Sequence, residues 1–138
     1  MGLILETFDF EDGNGPVPAH RHKNPDGSAG GWVAETARVS ILATVGPNAQ
    51  VFGNAQVLDR AQVYGEAFVH GQACVFGNAQ VYGDAHVFGN AQVYGKARVS
   101  GQTRVYGEAV VSGPNLRDEL EKVQARRVQV QGKRVFGW

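Results

Sequence analysis

One hexad of the form V-x-G-x-A-x recurs fourteen times without a gap between residues 33 and 116. Each unit begins with valine, its third residue is glycine in ten units, and its fifth residue is alanine in twelve. Thr103 and Asn115 are the two exceptions at the fifth position. Such a repeat constrains the architecture of the chain far more tightly than it constrains its activity.

Within each hexad, small apolar residues alternate with larger or polar ones, as in a strand with one buried face. Glycine followed by Asn, Asp, Glu or Lys predicts a corner, because glycine adopts left-handed backbone conformations without a Cβ penalty. Three sides would then close a coil of about eighteen residues, and coils would stack as parallel strands about 4.8 Å apart. We expect the valines to fill the interior and the alanines to lie beside the corners.

With this repeat the chain resembles the hexapeptide-repeat, left-handed parallel β-helix proteins. The resemblance covers residues 33 to about 116 and implies an all-β fold of about 4.7 left-handed triangular coils. The hexads are most similar to the V-Y-G-N-A-R-V type found in bacterial and phage-associated proteins with no assigned reaction.

We divide the chain into an N-terminal β cap (residues 1–32), the β-helix (33–116) and a C-terminal extension (117–138). Residues 2–10 are typical of a strand, residues 116–127 predict a short helix, and residues 127–138 predict a strand or small hairpin. The first region carries five acidic and two basic residues, and the last carries three acidic and six basic. The two ends therefore either attract each other, within or between protomers, or are independently solvated.

Composition excludes several classes of function. The net charge is zero, with thirteen basic and thirteen acidic residues, so nothing indicates nucleic-acid binding. Cys74 is the only cysteine and cannot form an internal disulfide, which favours an intracellular protein. The first residues contain too short an apolar run for a signal peptide or a membrane span. We expect a cytoplasmic protein (in the host cytoplasm if phage-encoded) without a membrane partner or cofactor.

Residues eighteen apart should stack along each side, and the residue after each valine forms a column rich in aromatic rings. Columns of exposed rings indicate a partner, whereas rings stacked on adjacent coils would only shield backbone hydrogen bonds. We predict that at least one side is buried in a homo-oligomer, a trimer or a dimer. The candidate binding residues are Phe52, His70, Phe88 and Tyr106 on the first side, Phe76 and Tyr94 on the second, and Tyr64 and Tyr82 on the third.

Histidine is the residue type most relevant to catalysis here. His70 falls in the first column and His86 is assigned to the third side; either is a general base if a carboxylate such as Asp84 orients it. The alternative for both is a structural or solvent-exposed ring. His20 and His22 would share one face of a strand and, with a third ligand, could hold a metal. This spacing is common by chance, so we predict no metal site. We also predict no catalytic residue.

The resemblance implies trimers, and many family members are acyltransferases that bind coenzyme A or acyl carrier protein between subunits, with a histidine base. Others resemble zinc carbonic anhydrases. Two departures weaken an enzymatic reading: the hexads contain no inserted loop, and Phe or Tyr often follows the valine. We expect a non-enzymatic, self-associating scaffold or protein-binding module, phage- or prophage-encoded as a virion part or an inhibitor of a host protein. The alternative is an acyltransferase with His70 or His86 as base.

Overall fold

The computed structural model describes residues 6–112 and 129–131, and the regular elements in these ranges are all β-strands. The N-terminal region contains β1 (Thr7–Asp9), β2 (Pro16–Lys23) and β3 (Ala29–Ala34). The predicted helix over residues 116–127 lies outside the described residues. The hexads contribute β4 (Arg38–Val39), β5 (Thr44–Val45), β6 (Gln50–Val51), β7 (Gln56–Val57), β8 (Gln62–Val63), β9 (Phe68–Val69), β10 (Cys74–Val75), β11 (Gln80–Val81), β12 (His86–Val87), β13 (Gln92–Val93), β14 (Arg98–Val99), β15 (Arg104–Tyr106) and β16 (Val110–Val111), followed by β17 (Gln129–Gln131).

Strands eighteen residues apart pair in parallel, so the hexads form a prism with three walls. Cys74, for example, is paired with Gln56 in the coil before and with Gln92 in the coil after. Wall 1 has the order β1-β2-β3-β6-β9-β12-β15-β17, wall 2 contains β4, β7, β10, β13 and β16, and wall 3 contains β5, β8, β11 and β14. From β3 to β16 there are four complete coils and two strands of a fifth. The predicted parallel β-helix is confirmed.

The interior of the prism consists of the hexad valines and alanines. Val33 is 1% exposed, and every hexad valine from Val45 to Val111 is fully buried. The alanines at the fifth position are buried too, from Ala43 to Ala109. β-Branched valine suits this position because its stiff side chain packs well on a pleated surface. The register predicted from the repeat is therefore correct.

The corners need glycine for two separate reasons. Gly83 has a φ of +69°, which L-residues rarely adopt, and a Cβ built on it would lie 2.8 Å from the Gly101 amide nitrogen. This corner thus packs directly on the backbone of the next coil. Asp59 replaces glycine at one corner with a φ of 59°, and its Oδ2 accepts a hydrogen bond from the Gly77 N–H at 3.0 Å.

The N-terminal strands extend wall 1 beyond the first coil. β1 pairs with β2 and β2 pairs with β3, both antiparallel, whereas β3 pairs in parallel with β6. Gly30 and Gly31 pass close to the first coil, since a Cβ on Gly31 would overlap the Ala49 carbonyl oxygen. At the opposite end of wall 1, β17 pairs antiparallel with β15, with Val130 opposite Val105. None of the described segments is a helix long and apolar enough to cross a membrane.

Candidate functional site on wall 1

Wall 1 presents two outward columns of side chains, because the residues before and after each inward valine both point away from the core. Strand pairing aligns the residues of each column, with Phe68 opposite Gln50 in one coil and His86 in the next. The column before valine contains Trp32, Gln50, Phe68, His86 and Arg104, and the column after it contains Phe52, His70, Phe88 and Tyr106. We call the seven rings of both columns the aromatic face (Trp32, Phe52, Phe68, His70, His86, Phe88 and Tyr106).

The rings in the column after valine are stacked nearly parallel on one another. The ring centroids lie 4.7 Å apart for Phe52 and His70, 5.0 Å for His70 and Phe88, and 5.1 Å for Phe88 and Tyr106. The shorter columns behave in the same way, at 4.9 Å for Phe76 and Tyr94 on wall 2 and for Tyr64 and Tyr82 on wall 3.

The expectation that these columns are exposed is wrong, because the rings stack on one another. Phe52 is buried, at 5% exposure, and the other seven candidate rings are half-buried because each covers part of its neighbour. What the columns present to solvent is mainly the edge of each ring. Their role as binding residues stays a prediction.

Two phenylalanines of the N-terminal region pack against the end of the aromatic face, and neither was among the residues predicted from the sequence. Phe10 stacks on Phe52 at 4.7 Å, and Phe8 stacks on Trp32 at 4.9 Å. Phe10 fits there because Ala34, in the same buried cluster, has only a small side chain. The F-x-F spacing of the two residues was the available signal, since it places both rings on one side of a strand.

His70 and His86 are neighbours on wall 1, so the assignment of His86 to the third side is wrong. Their ring centroids lie 6.3 Å apart, edge to face. Burial, followed by the positive charge of the nearby His86, lowers the pKa of His70 to about 4. Burial, followed by the positive charge of Arg104, also lowers the pKa of His86. Both imidazoles are therefore uncharged near neutral pH.

The other two histidines make hydrogen bonds that explain their positions. His20 Nδ1 lies 2.6 Å from Glu35 Oε2 on the surface, whereas the buried His22 places Nε2 2.8 Å from the Ala43 carbonyl oxygen. The prediction that they share one face of a strand is wrong, because the pairing register shifts between Arg21 and Lys23. No three His, Cys, Asp or Glu side chains in the described ranges come together as a metal site.

A pocket of about 220 Å³ lies where the N-terminal strands meet the first coils of wall 1. It is lined by apolar side chains (Phe10, Val17, Pro18, Ala34 and Phe52) and by a polar rim (Asp12, Asn14, Glu35, Thr36 and Gly53). Nothing in the sequence predicts it, because it forms between segments that are distant in the chain.

Comparison with known proteins bears on the repeat itself. A family model described as YdcK beta solenoid repeat matches residues 79–95 and 91–107. With the stacked coils described above, this match identifies the chain as a β-helix repeat protein. Neither the curated proteins nor the solved structures contain a match to the chain.

Proposed function

We propose that this chain is a non-enzymatic, self-associating β-helical scaffold whose aromatic face on wall 1 binds protein. The observation that carries the proposal is the pairing of two ring columns on one wall. Phe68 lies 4.9 Å from His86, which in turn contacts His70, so the two columns form one continuous surface. A continuous apolar surface of this kind is typical of protein interfaces, where aromatic side chains are enriched.

Charge supports this proposal in two ways. Since His70 and His86 are uncharged near neutral pH, binding does not require either ring to lose the hydration of a charge. The corners on both sides of wall 1 carry exposed polar residues, and an apolar centre with a polar rim is the usual anatomy of an interface. These residues are Asn54, Gln72 and Asn90 on one side and Glu66, Asp84 and Gln102 on the other.

The partner that we propose first is a second copy of the chain, in a dimer or trimer. A phage- or prophage-encoded chain would present the same surface to a virion protein or to a host protein in the cytoplasm. In either case the coils act as a rigid support, because backbone hydrogen bonds join successive coils within each wall. The Phe88 N–H, for example, donates to the Val105 carbonyl oxygen at 2.9 Å.

The acyltransferase alternative has less support from the geometry of the histidines. Both faces of His70 are covered by Phe52 and Phe88. Among the described histidines, the side chains that make hydrogen bonds are those of His20 and His22, so no described carboxylate orients His70 or His86. A general base needs such positioning toward the proton it removes.

Size-exclusion chromatography with light scattering tests the proposed interface. Phe88→Ser should convert the oligomer into a smaller species, while the matched variants Phe76→Ser on wall 2 and Tyr82→Ser on wall 3 leave it intact. A wild-type chain that is monomeric at every concentration would refute self-association. An oligomer that survives Phe88→Ser but not Phe76→Ser would place the interface on wall 2.

A separate measurement addresses the enzymatic alternative. Calorimetric titration with acetyl-coenzyme A should give no binding heat, even at about millimolar ligand. Saturable binding that is lost in His70→Phe or His86→Phe would favour the acyltransferase over the scaffold.

A further inference from the structure

One corner of the first coil departs from the repeat in a way that the fold does not require. Ile41 and Leu42 lie between walls 2 and 3, where later coils of the same corner have Asp59, Gly77 and Gly95 at the position of Ile41. Ile41 is 81% exposed and Leu42 is 50% exposed, and they are the large apolar side chains that the described structure leaves exposed. We call this pair the corner knob.

The pocket beside the N-terminal strands has the size and polarity to receive such a knob. Its floor is formed by Phe10, Ala34 and Phe52, and its volume is about 220 Å³. A protein cavity of about 150 Å³ lined by apolar side chains already binds benzene, so one branched aliphatic side chain fits here. Removing an Ile or Leu side chain from water is favourable, so the knob can act as an anchor.

Charged side chains lie beside both the knob and the pocket. Arg60 lies beside Leu42, and both line a shallow depression of the surface. The Asp59 carboxylate next to Arg60 is engaged by the Gly77 N–H. The pocket rim carries Asp12 and Glu35, both exposed, with Glu35 also contacting His20. Arg60 therefore offers a cation beside Leu42, while the neighbouring Asp59 carboxylate is held by the Gly77 N–H, and the pocket rim offers two carboxylates to that cation.

We propose that the corner knob of one copy inserts into the pocket of a second copy, with Arg60 facing the acidic rim. This inference rests on the self-association proposed above and assigns it a contact. Because the knob and the pocket are different surfaces, the contact is heterologous, and repeating it produces either a ring or an open chain. Both surfaces lie at the first coil, so copies with parallel prism axes would join without a shift along the prism and close into a ring.

A heterologous contact can be tested by complementation between two defective variants. Ile41→Gly with Leu42→Asn removes the knob by restoring the corner typical of the repeat, and Thr36→Trp fills the pocket from an exposed rim position. Each variant alone should be monomeric in light scattering. An equimolar mixture should form a heterodimer, because one intact knob and one intact pocket remain. Lys96→Asn, at the same corner two coils beyond Arg60, is the matched control and should keep the wild-type oligomer.

Thermal unfolding of each variant establishes that it is folded before its assembly is compared, and Val17→Asp replaces Thr36→Trp if the latter unfolds. Arg60→Glu should weaken association about fivefold, and adding Asp12→Lys should restore it. An oligomer that persists in the knob variant but is lost in Phe88→Ser overturns the knob contact and leaves the proposed function standing. Two monomeric variants that do not combine also overturn it. A wild-type monomer at all concentrations refutes the proposed function itself.

Discussion

The side-chain Oδ1 of Asn24 accepts a hydrogen bond from the backbone N–H of Val45 at 2.9 Å. Val45 belongs to β5, the first strand of wall 3, and no other described strand of that wall precedes it as a pairing partner. The buried side chains of Asn24 and His22 bond to the backbone of Val45 and Ala43 in its place. The β2–β3 region therefore satisfies polar groups at an edge that would otherwise be open to other strands.

Replacing Asn24 with alanine should destabilise the chain by about 1–3 kcal/mol, because the Val45 N–H is then buried without its acceptor. Urea unfolding followed by circular dichroism measures the free energy of unfolding. The control is Asn78→Ala, at an exposed corner, which should change it by less than about 0.5 kcal/mol. Equal effects of the two substitutions would contradict the role assigned to Asn24.

Alanine substitutions at two stacked corner glycines distinguish the stability lost through a positive φ from the stability lost through close packing. Gly83 and Gly101 have φ values of +69° and +68°; within the described residues, a Cβ on Gly83 would lie 2.8 Å from a backbone nitrogen of the next coil, whereas a Cβ on Gly101 would meet no atom within 4 Å. Gly101→Ala should destabilise the chain by about 1–2 kcal/mol through backbone strain. Gly83→Ala should cost clearly more. Thermal unfolding of both variants tests this order, and a smaller loss for Gly83→Ala would exclude the close contact between coils.

The coiled region was predictable from sequence because its period is constant. Once valine recurs every six residues and three hexads close a coil, the partner of each residue is fixed at a distance of eighteen. The inward position of Val75 and the corner position of Gly83 follow from this rule. The left-handed sense of the coil came only from the family resemblance and stays a prediction.

The parts that sequence analysis missed are those without a period. His22 and Asn24 bond to Ala43 and Val45, twenty-one residues away, across a hairpin whose pairing register shifts. No local pattern encodes such contacts. His86 was misplaced for a different reason: it is the last residue of its hexad but lies in the strand of the next valine, Val87, on wall 1. The residues before and after each inward valine both point outward, so His70 and His86, sixteen residues apart, are diagonal neighbours on one wall.

Because the valines point inward, an introduced carboxylate should affect folding far more at a valine position than at an outward position. Val75→Asp should prevent folding, since an unpaired carboxylate in the apolar core costs several kcal/mol. Gln92→Asp introduces the same group at an exposed position of the next coil on wall 2 and should leave the chain folded. Circular dichroism and thermal unfolding distinguish the two outcomes. A cooperative transition of normal midpoint in Val75→Asp would contradict the inward register.

His70 makes stability depend on pH in a defined direction. Burial lowers its pKa to about 4 in the folded chain from an ordinary 6.5, so between these values the unfolded state binds more protons. Stability should therefore fall as pH decreases from about 6.5 to about 4. His70→Phe retains a ring between Phe52 and Phe88 but cannot be protonated, so it should lose less stability than wild type between about pH 7.5 and about pH 4.5 in urea unfolding. His86 is present in both chains, so its own contribution to the pH dependence of stability cancels in the comparison. If the two chains lose the same stability, the imidazole of His70 is solvated well enough to keep its ordinary pKa, and the stacked column does not bury it.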